Sequence, residues 1–136
     1  MTYLLDTNAC IQLLKANQDS AIAKRLAQYT PADIRLCVPV KSELFYGAYK
    51  SVKRQANLER LRLFYRQFQS IPFNDEVAKV CGQIRAALAA KGTPIGPYDL
   101  QIAAIALVHD LTLVTDNVRE FSRVDGLAWE NWQEEA

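Results

Sequence analysis

The sequence predicts an α/β fold, with a central, mostly parallel sheet of four or five strands sandwiched between helices. Three observations carry that expectation. Short apolar runs alternate with longer amphipathic runs of helical spacing along the 136 residues, which is the pattern of a parallel sheet with helices on both faces. Two of the short runs stop in the same way, at Asp6-Thr7-Asn8 and at Thr115-Asp116-Asn117. Leu100 to Val108 is apolar nearly all round, as a helix buried on several sides must be.

Taken in order, Tyr3-Leu4-Leu5 reads as a buried first strand, and Ile11-Gln12-Leu13-Leu14 as part of the helix behind it. Asn17-Gln18-Asp19-Ser20 is a polar break that can cap a second helix from Ala21 to Gln28, ended by Thr30-Pro31-Ala32-Asp33. Ile34 to Val38 is the second strand, and Pro39 closes it and opens a helix to Tyr49. A long helix follows from Arg54 to Gln69, with Leu58, Leu61, Phe64, Tyr65 and Phe68 as its apolar stripe. Ser70 to Phe73 reads as an edge strand, because Pro72 tolerates only an edge or a strand end. Asn74 caps a helix that runs to Lys91, with Gly92 as its C′ residue. The rigid loop Thr93 to Tyr98 delivers Asp99 to the apolar helix, which closes on His109 as a cation near its C-terminus. Leu111 to Val114 is a strand, Val118 to Phe121 a helical turn, and Leu127 to Trp129 the last strand.

The totals exclude several classes. With half its residues apolar and 23% charged, the chain reads as one globular domain over residues 1–136. No apolar run approaches the roughly 18 residues of a membrane span, and no basic region precedes the first strand, so neither an anchor nor a secretory leader is expected. Cys10, Cys37 and Cys81 have no paired spacing, and free buried thiols point to a reducing cytoplasm. The net charge of +1 does not announce a polyanion partner, but its distribution is uneven. Lys50, Lys53, Arg54, Arg60, Arg62 and Arg66 face one acid, Glu59, in that segment, while Glu130, Glu134 and Glu135 crowd the end. Such a basic helix either guides a polyanion or is simply a solvated face.

The chemistry lies in the acids. Parallel strands bring their carboxyl ends to one edge, so Asp6 and Asp116 become neighbours there, and ligands bind at that edge in open α/β sheets. A helix returning antiparallel to the strands begins at the same edge, which adds Asp99. Glu43, in the helix after the second strand, is placed less tightly. Each acid has a duller explanation: Asp6, Thr7 and Asn8 are all good helix caps, Asp99 can cap its own helix, Asp116 forms turns, and Glu43 suits a solvated helix. Together they are harder to dismiss, since two like charges about 5 Å apart at an effective dielectric of ~20 cost roughly 3 kcal/mol. A hard divalent cation would compensate the cluster, and could activate water for displacement at phosphorus. No His or Cys joins the set, which argues against zinc.

Four segments in this order, Leu5-Asp6-Thr7-Asn8, Ser42 to Gly47, Ile95 to Ala104 and Thr115-Asp116-Asn117 with Phe121, resemble the PIN-domain ribonucleases, most closely the VapC-type toxins of VapBC toxin–antitoxin modules. The resemblance covers essentially the whole chain. It implies a PIN-like, Rossmann-like α/β/α sandwich and endonucleolytic cleavage of RNA, such as tRNA or another structured RNA. It further implies Mg²⁺ as cofactor, with Mn²⁺ able to substitute, a homodimer, and inhibition by a cognate VapB-type antitoxin. The family's acids map to Asp6, Glu43, Asp99 and Asp116, with Asp6, Asp99 and Asp116 as metal ligands and Glu43 as a ligand or an orienter of water. Its polar helpers map to Asn8 and Thr115, positioning water or phosphate, with Thr7 and Asn117 beside them. Lys50, Lys53 and Arg54 are candidate contacts to the RNA backbone. The residues alone do not choose RNA over DNA. A phosphatase of the haloacid-dehalogenase type also starts from an Asp after strand one, but needs a second acid where Asn8 stands. A receiver-like domain lacks the lysine after the last firm strand, and a non-catalytic module whose acids capture an arginine-bearing partner is compatible with the same groove.

Overall fold

The sheet is held together by backbone pairing that runs the same way throughout. In the computed structural model, residues 1–15 and 18–133 are described; Asn17 of the polar break and Glu134 and Glu135 of the acidic end lie outside them. Strand β1 (Tyr3–Leu5) pairs in parallel with β2 (Ile34–Cys37) on one side and β4 (Thr112–Val114) on the other. The outer strands β3 (Gln69–Ile71) and β5 (Trp129–Glu130) are also parallel to their neighbours. Among the described residues this gives five strands in the order β3-β2-β1-β4-β5. The chain winds outward from β1 through β2 to β3, then returns to the other side of β1 for β4 and β5. The strand order therefore reverses between β1 and β4, and the crevice beyond their carboxyl ends is the switch point where such sheets bind ligands.

The helices are α1 (Thr7–Lys15), α2 (Ala21–Leu26), α3 (Val38–Lys50), α4 (Arg54–Tyr65), α5 (Asp75–Ala90), α6 (Pro97–Val108) and the short α7 (Val118–Phe121), with a 3₁₀ turn at Pro31–Asp33. α3 packs on α1, α4 and α6, and α5 packs on α6. The core centres on Leu4, Leu5, Leu36 and Leu113 of the sheet, all without solvent exposure, and on Ile102 to Ala106 of α6. Each Leu or Ile so buried contributes roughly 1.5–3 kcal/mol. No helix among the described residues is long and apolar enough to cross a membrane.

Element boundaries differ from the expected ones for local reasons. α4 stops at Tyr65, because Gln69 to Ile71 pair with Arg35 to Cys37 and become β3, which leaves Pro72 outside the ladder. Val38 starts α3 rather than ending β2, with Pro39 in the first turn, where its missing N–H costs nothing. α6 starts at Pro97 instead of Leu100, with Gly96 as its cap, so Asp99 lies inside the first turn. The last strand is Trp129–Glu130, starting two residues later than expected and ending one later, since Gly126 takes a left-handed turn (φ 81°) and Leu127 is buried after it. The expected C′ residue of α5, Gly92, does adopt φ 71°.

Candidate active site

Asp6 is the first residue past β1 and is buried, at 5% exposure. Its backbone N–H still donates to the Val114 carbonyl of β4 (3.1 Å), which locks the end of β1 to the end of β4. Its carboxylate Oδ1 accepts from the Ala9 N–H at 2.7 Å. Asp6 itself is therefore the cap of α1, the duller of the two roles open to it in the sequence, and the positive end of the helix favours its charge. Thr115, buried beside it, hydrogen-bonds the same carboxylate. Burial is nevertheless the largest influence, and with Asp116 and Glu43 in electrostatic range it pushes the Asp6 pKa up from 3.8 to about 6.

The other acids are each held by a polar neighbour. Thr7 Oγ1 donates to Glu43 Oε1 (2.8 Å), joining α1 to α3. Asn8 Nδ2 donates to Asp116 Oδ2 (2.9 Å), joining the two turns that look alike in sequence. Asn117 Nδ2 donates to Asp99 Oδ2 (3.3 Å) and to Glu120 Oε2 (3.2 Å). Thr115 was expected to position water or phosphate. Its hydroxyl is buried instead, accepts from the Asn117 N–H (2.9 Å) and bonds Asp6, so it braces the acids from below.

Glu120 of α7 was not among the expected residues. Asp99 and Glu120 hydrogen-bond carboxyl to carboxyl, and Glu120 also accepts from the Gly96 N–H. Burial, then the bond to Glu120 and its charge, raise the Asp99 pKa to about 7, while the same bond, first among several, lowers that of Glu120. The available signal was position: Glu120 lies three residues after Asn117, where an acid commonly answers a helix cap.

All five acids act on one crevice, since Asp99 feels Asp6 and Glu43 as well as Glu120. Among the described residues none of the five is in an ion pair with Lys or Arg except through distant charge, the ion pairs being Arg25–Glu130, Arg62–Glu59 and Lys91–Asp125. The donor set is all oxygen and without a cation of its own, with Asp6 buried, Glu43, Asp99 and Glu120 half-buried and Asp116 exposed, and such a set fits a hard divalent ion. Among the described residues no three acids close into a ready-made cage. Lys50 ends α3, Lys53 caps α4 and Arg54 begins it, all exposed.

The profile of the PIN domain matches residues 3–127. The chain belongs to the PIN-domain family. Within it, the VapC proteins are close relatives: the chain is 40% identical to the tRNA(fMet)-specific endonuclease VapC of Salmonella typhimurium (97% of this chain, 98% of that protein). It is 36% identical to ribonuclease VapC2 of Rickettsia felis, with the same coverage. Among solved structures, DNA-bound VapBC from Salmonella typhimurium superposes with a TM-score of 0.90 at 39% identity, covering 97% of this chain and 98% of that one. The PIN fold and VapC kinship expected from the motifs are thereby shown, and the all-parallel sheet sharpens the expected mostly parallel one. In this PIN domain the acidic crevice occupies the switch point between β1 and β4.

Proposed function

We propose that this PIN domain, a single unit over residues 1–136, is a Mg²⁺- or Mn²⁺-dependent endoribonuclease toxin that cuts tRNA or another structured RNA. The observation that carries the reading is the uncompensated set of Asp6, Glu43, Asp99 and Asp116 at one sheet edge, in a chain whose relatives are named as ribonucleases. Asp6, Asp99 and Asp116 would hold the ion, directly or through water. When bound, the ion supplies charge compensation for the acids, activation of a water and stabilisation of charge at phosphorus. Glu43, fixed by Thr7, faces the crevice as an acceptor that orients the attacking water. Asn117 keeps the Asp99 and Glu120 carboxyls in register beside the crevice.

The phosphatase alternative loses its proton donor at Asn8, whose amide is committed as a donor to Asp116. Inhibition by a VapB-type antitoxin is supported by the solved VapBC relatives, and a homodimeric toxin is what the VapC resemblance implies. The test is cleavage of a tRNA(fMet) transcript by purified protein with Mg²⁺ or Mn²⁺, beside EDTA, Asp6→Asn and Asp99→Asn controls. Cleavage that persists in EDTA and in both variants overturns the metal-dependent mechanism. Growth arrest on expression, relieved by a co-expressed VapB-type partner, tests the toxin role separately.

A further inference from the structure

An RNA approaching an acidic crevice is repelled by it, so a track that holds the strand beside the acids has to come from elsewhere on the surface. α3 leads directly out of the crevice. Glu43, Tyr46 and Lys50 stand at i, i+3 and i+7 along it and share one face. Tyr46 is 66% exposed, and among the described residues its ring packs against no other ring. The Lys50 ammonium lies over it, 5.0 Å from the ring centroid. Lys50 and Lys53 are in no ion pair among the described residues, whereas Arg62 is paired to Glu59. The corner that presents them is firmly built. Ser51 Oγ donates to the Ala48 carbonyl (2.7 Å), Asn57 Nδ2 to Ser51 Oγ (2.9 Å), and Arg54 Nε to the Tyr49 carbonyl (2.9 Å).

Resting on the ribonuclease reading above, we propose that Tyr46 is a base-stacking platform and Lys50 its phosphate clamp, positioning the RNA strand one helical turn from Glu43. A nucleotide has both complements, a flat π face for the ring and a phosphate for the ammonium. A second copy of the chain, or another apolar protein surface, fits less well. Covering the ring would strand the Lys50 charge that sits on it, and burying an unpaired ammonium is costly. The pair therefore acts on strand placement and not on the bond-breaking chemistry itself.

The test uses the full-length protein and a tRNA(fMet) transcript, with affinity measured in EDTA and cleavage measured with Mn²⁺. Tyr46→Ala is expected to weaken binding about tenfold and to raise KM more than it lowers kcat, whereas Tyr46→Phe stays within about twofold of wild type, because stacking needs the ring and not the hydroxyl. Lys50→Ala is expected to reduce the slope of log affinity against log salt by about one, while Lys24→Ala, an exposed lysine on α2, leaves it unchanged. Tyr46→Ala binding RNA within twofold of wild type overturns the proposal. So does a loss of affinity that sedimentation traces to a dimer falling apart. Wild-type protein that cleaves no RNA sinks the ribonuclease reading itself, whereas active wild type with an indifferent Tyr46→Ala sinks this inference alone.

Discussion

Asn8 donates to Asp116 at 2.9 Å, so the turn that leaves β1 and the turn that leaves β4 are tied side chain to side chain, 108 residues apart in sequence. Both belong to the same crevice because β1 and β4 are direct parallel neighbours, paired from Tyr3 with Thr112 to Leu5 with Val114. The amide supplies no charge. It holds Asp116 in place without neutralising it, which leaves the carboxylate available to a cation.

Replacing Asn8 with Ala frees Asp116 while leaving its charge. Groups that orient metal ligands typically matter 10- to 100-fold, so Mn²⁺ affinity and RNA cleavage are expected to fall by that factor with little change in the urea melt. Calorimetric titration of Mn²⁺ and single-turnover cleavage measure it. Full activity in Asn8→Ala would mean that Asp116 needs no tether.

Asp6 and Asp99 make the metal-free protein less stable at neutral pH than in mild acid. A carboxyl whose folded pKa is raised contributes stability that is complete below its unfolded value and lost as pH rises through the folded one. For Asp6 that window runs from 3.8 to about 6, and for Asp99 from 3.8 to about 7. The Asp6 contribution is on the order of 3 kcal/mol; Asp99 is half exposed, and its share is smaller. In EDTA the protein is therefore expected to lose stability between about pH 4 and pH 7, with Asp6→Asn flattening the profile and Mn²⁺ restoring more at pH 8 than at pH 5. Urea melts across this range decide it, and a wild-type profile already flat would contradict it.

Glu120→Gln removes the charge that keeps a proton on Asp99. The new amide donates to Asp99 instead of competing for its proton, so the Asp99 pKa falls. Onset of Mn²⁺ binding is expected at lower pH than in wild type, even where affinity at pH 8 is reduced by loss of an acid. A pH series of Mn²⁺ titrations reads both effects, and an unmoved onset would show that the Asp99–Glu120 bond does not govern Asp99.

The layout of the sheet edge was legible because two copies of one local pattern, Leu5-Asp6-Thr7-Asn8 and Val114-Thr115-Asp116-Asn117, mark two strand ends. Parallel pairing does the rest. What stayed hidden depends on three-dimensional partners. Whether Thr115 faces water or Asp6 is decided by how closely β4 lies beside β1. Glu120 meets Asp99 only because its carboxyl reaches the start of α6, where the Gly96 N–H also donates to it. Element ends moved where pairing outweighed periodicity, as when Gln69 to Ile71 left the helical pattern to join β2.

Away from the crevice, Trp132 fastens the end of the chain to its beginning. It is 1% exposed, stacks on Tyr29 (centroids 5.2 Å apart, planes at 8°) and meets the Tyr3 ring edge-on at 4.9 Å. Its Nε1 donates to Glu130 Oε1 (3.0 Å), which also pairs with Arg25 (2.9 Å), and the Arg25 guanidinium lies over the indole. Truncating a buried Trp removes its burial and leaves a cavity, at a cost of about 3–5 kcal/mol. Arg25→Ala removes a half-exposed ion pair and a cation–π contact, worth about 1 kcal/mol together. Trp132→Ala is therefore expected to shift the urea midpoint several times further than Arg25→Ala. Equal shifts would mean that the ion pair, and not the aromatic stack, anchors the C-terminal segment to β1.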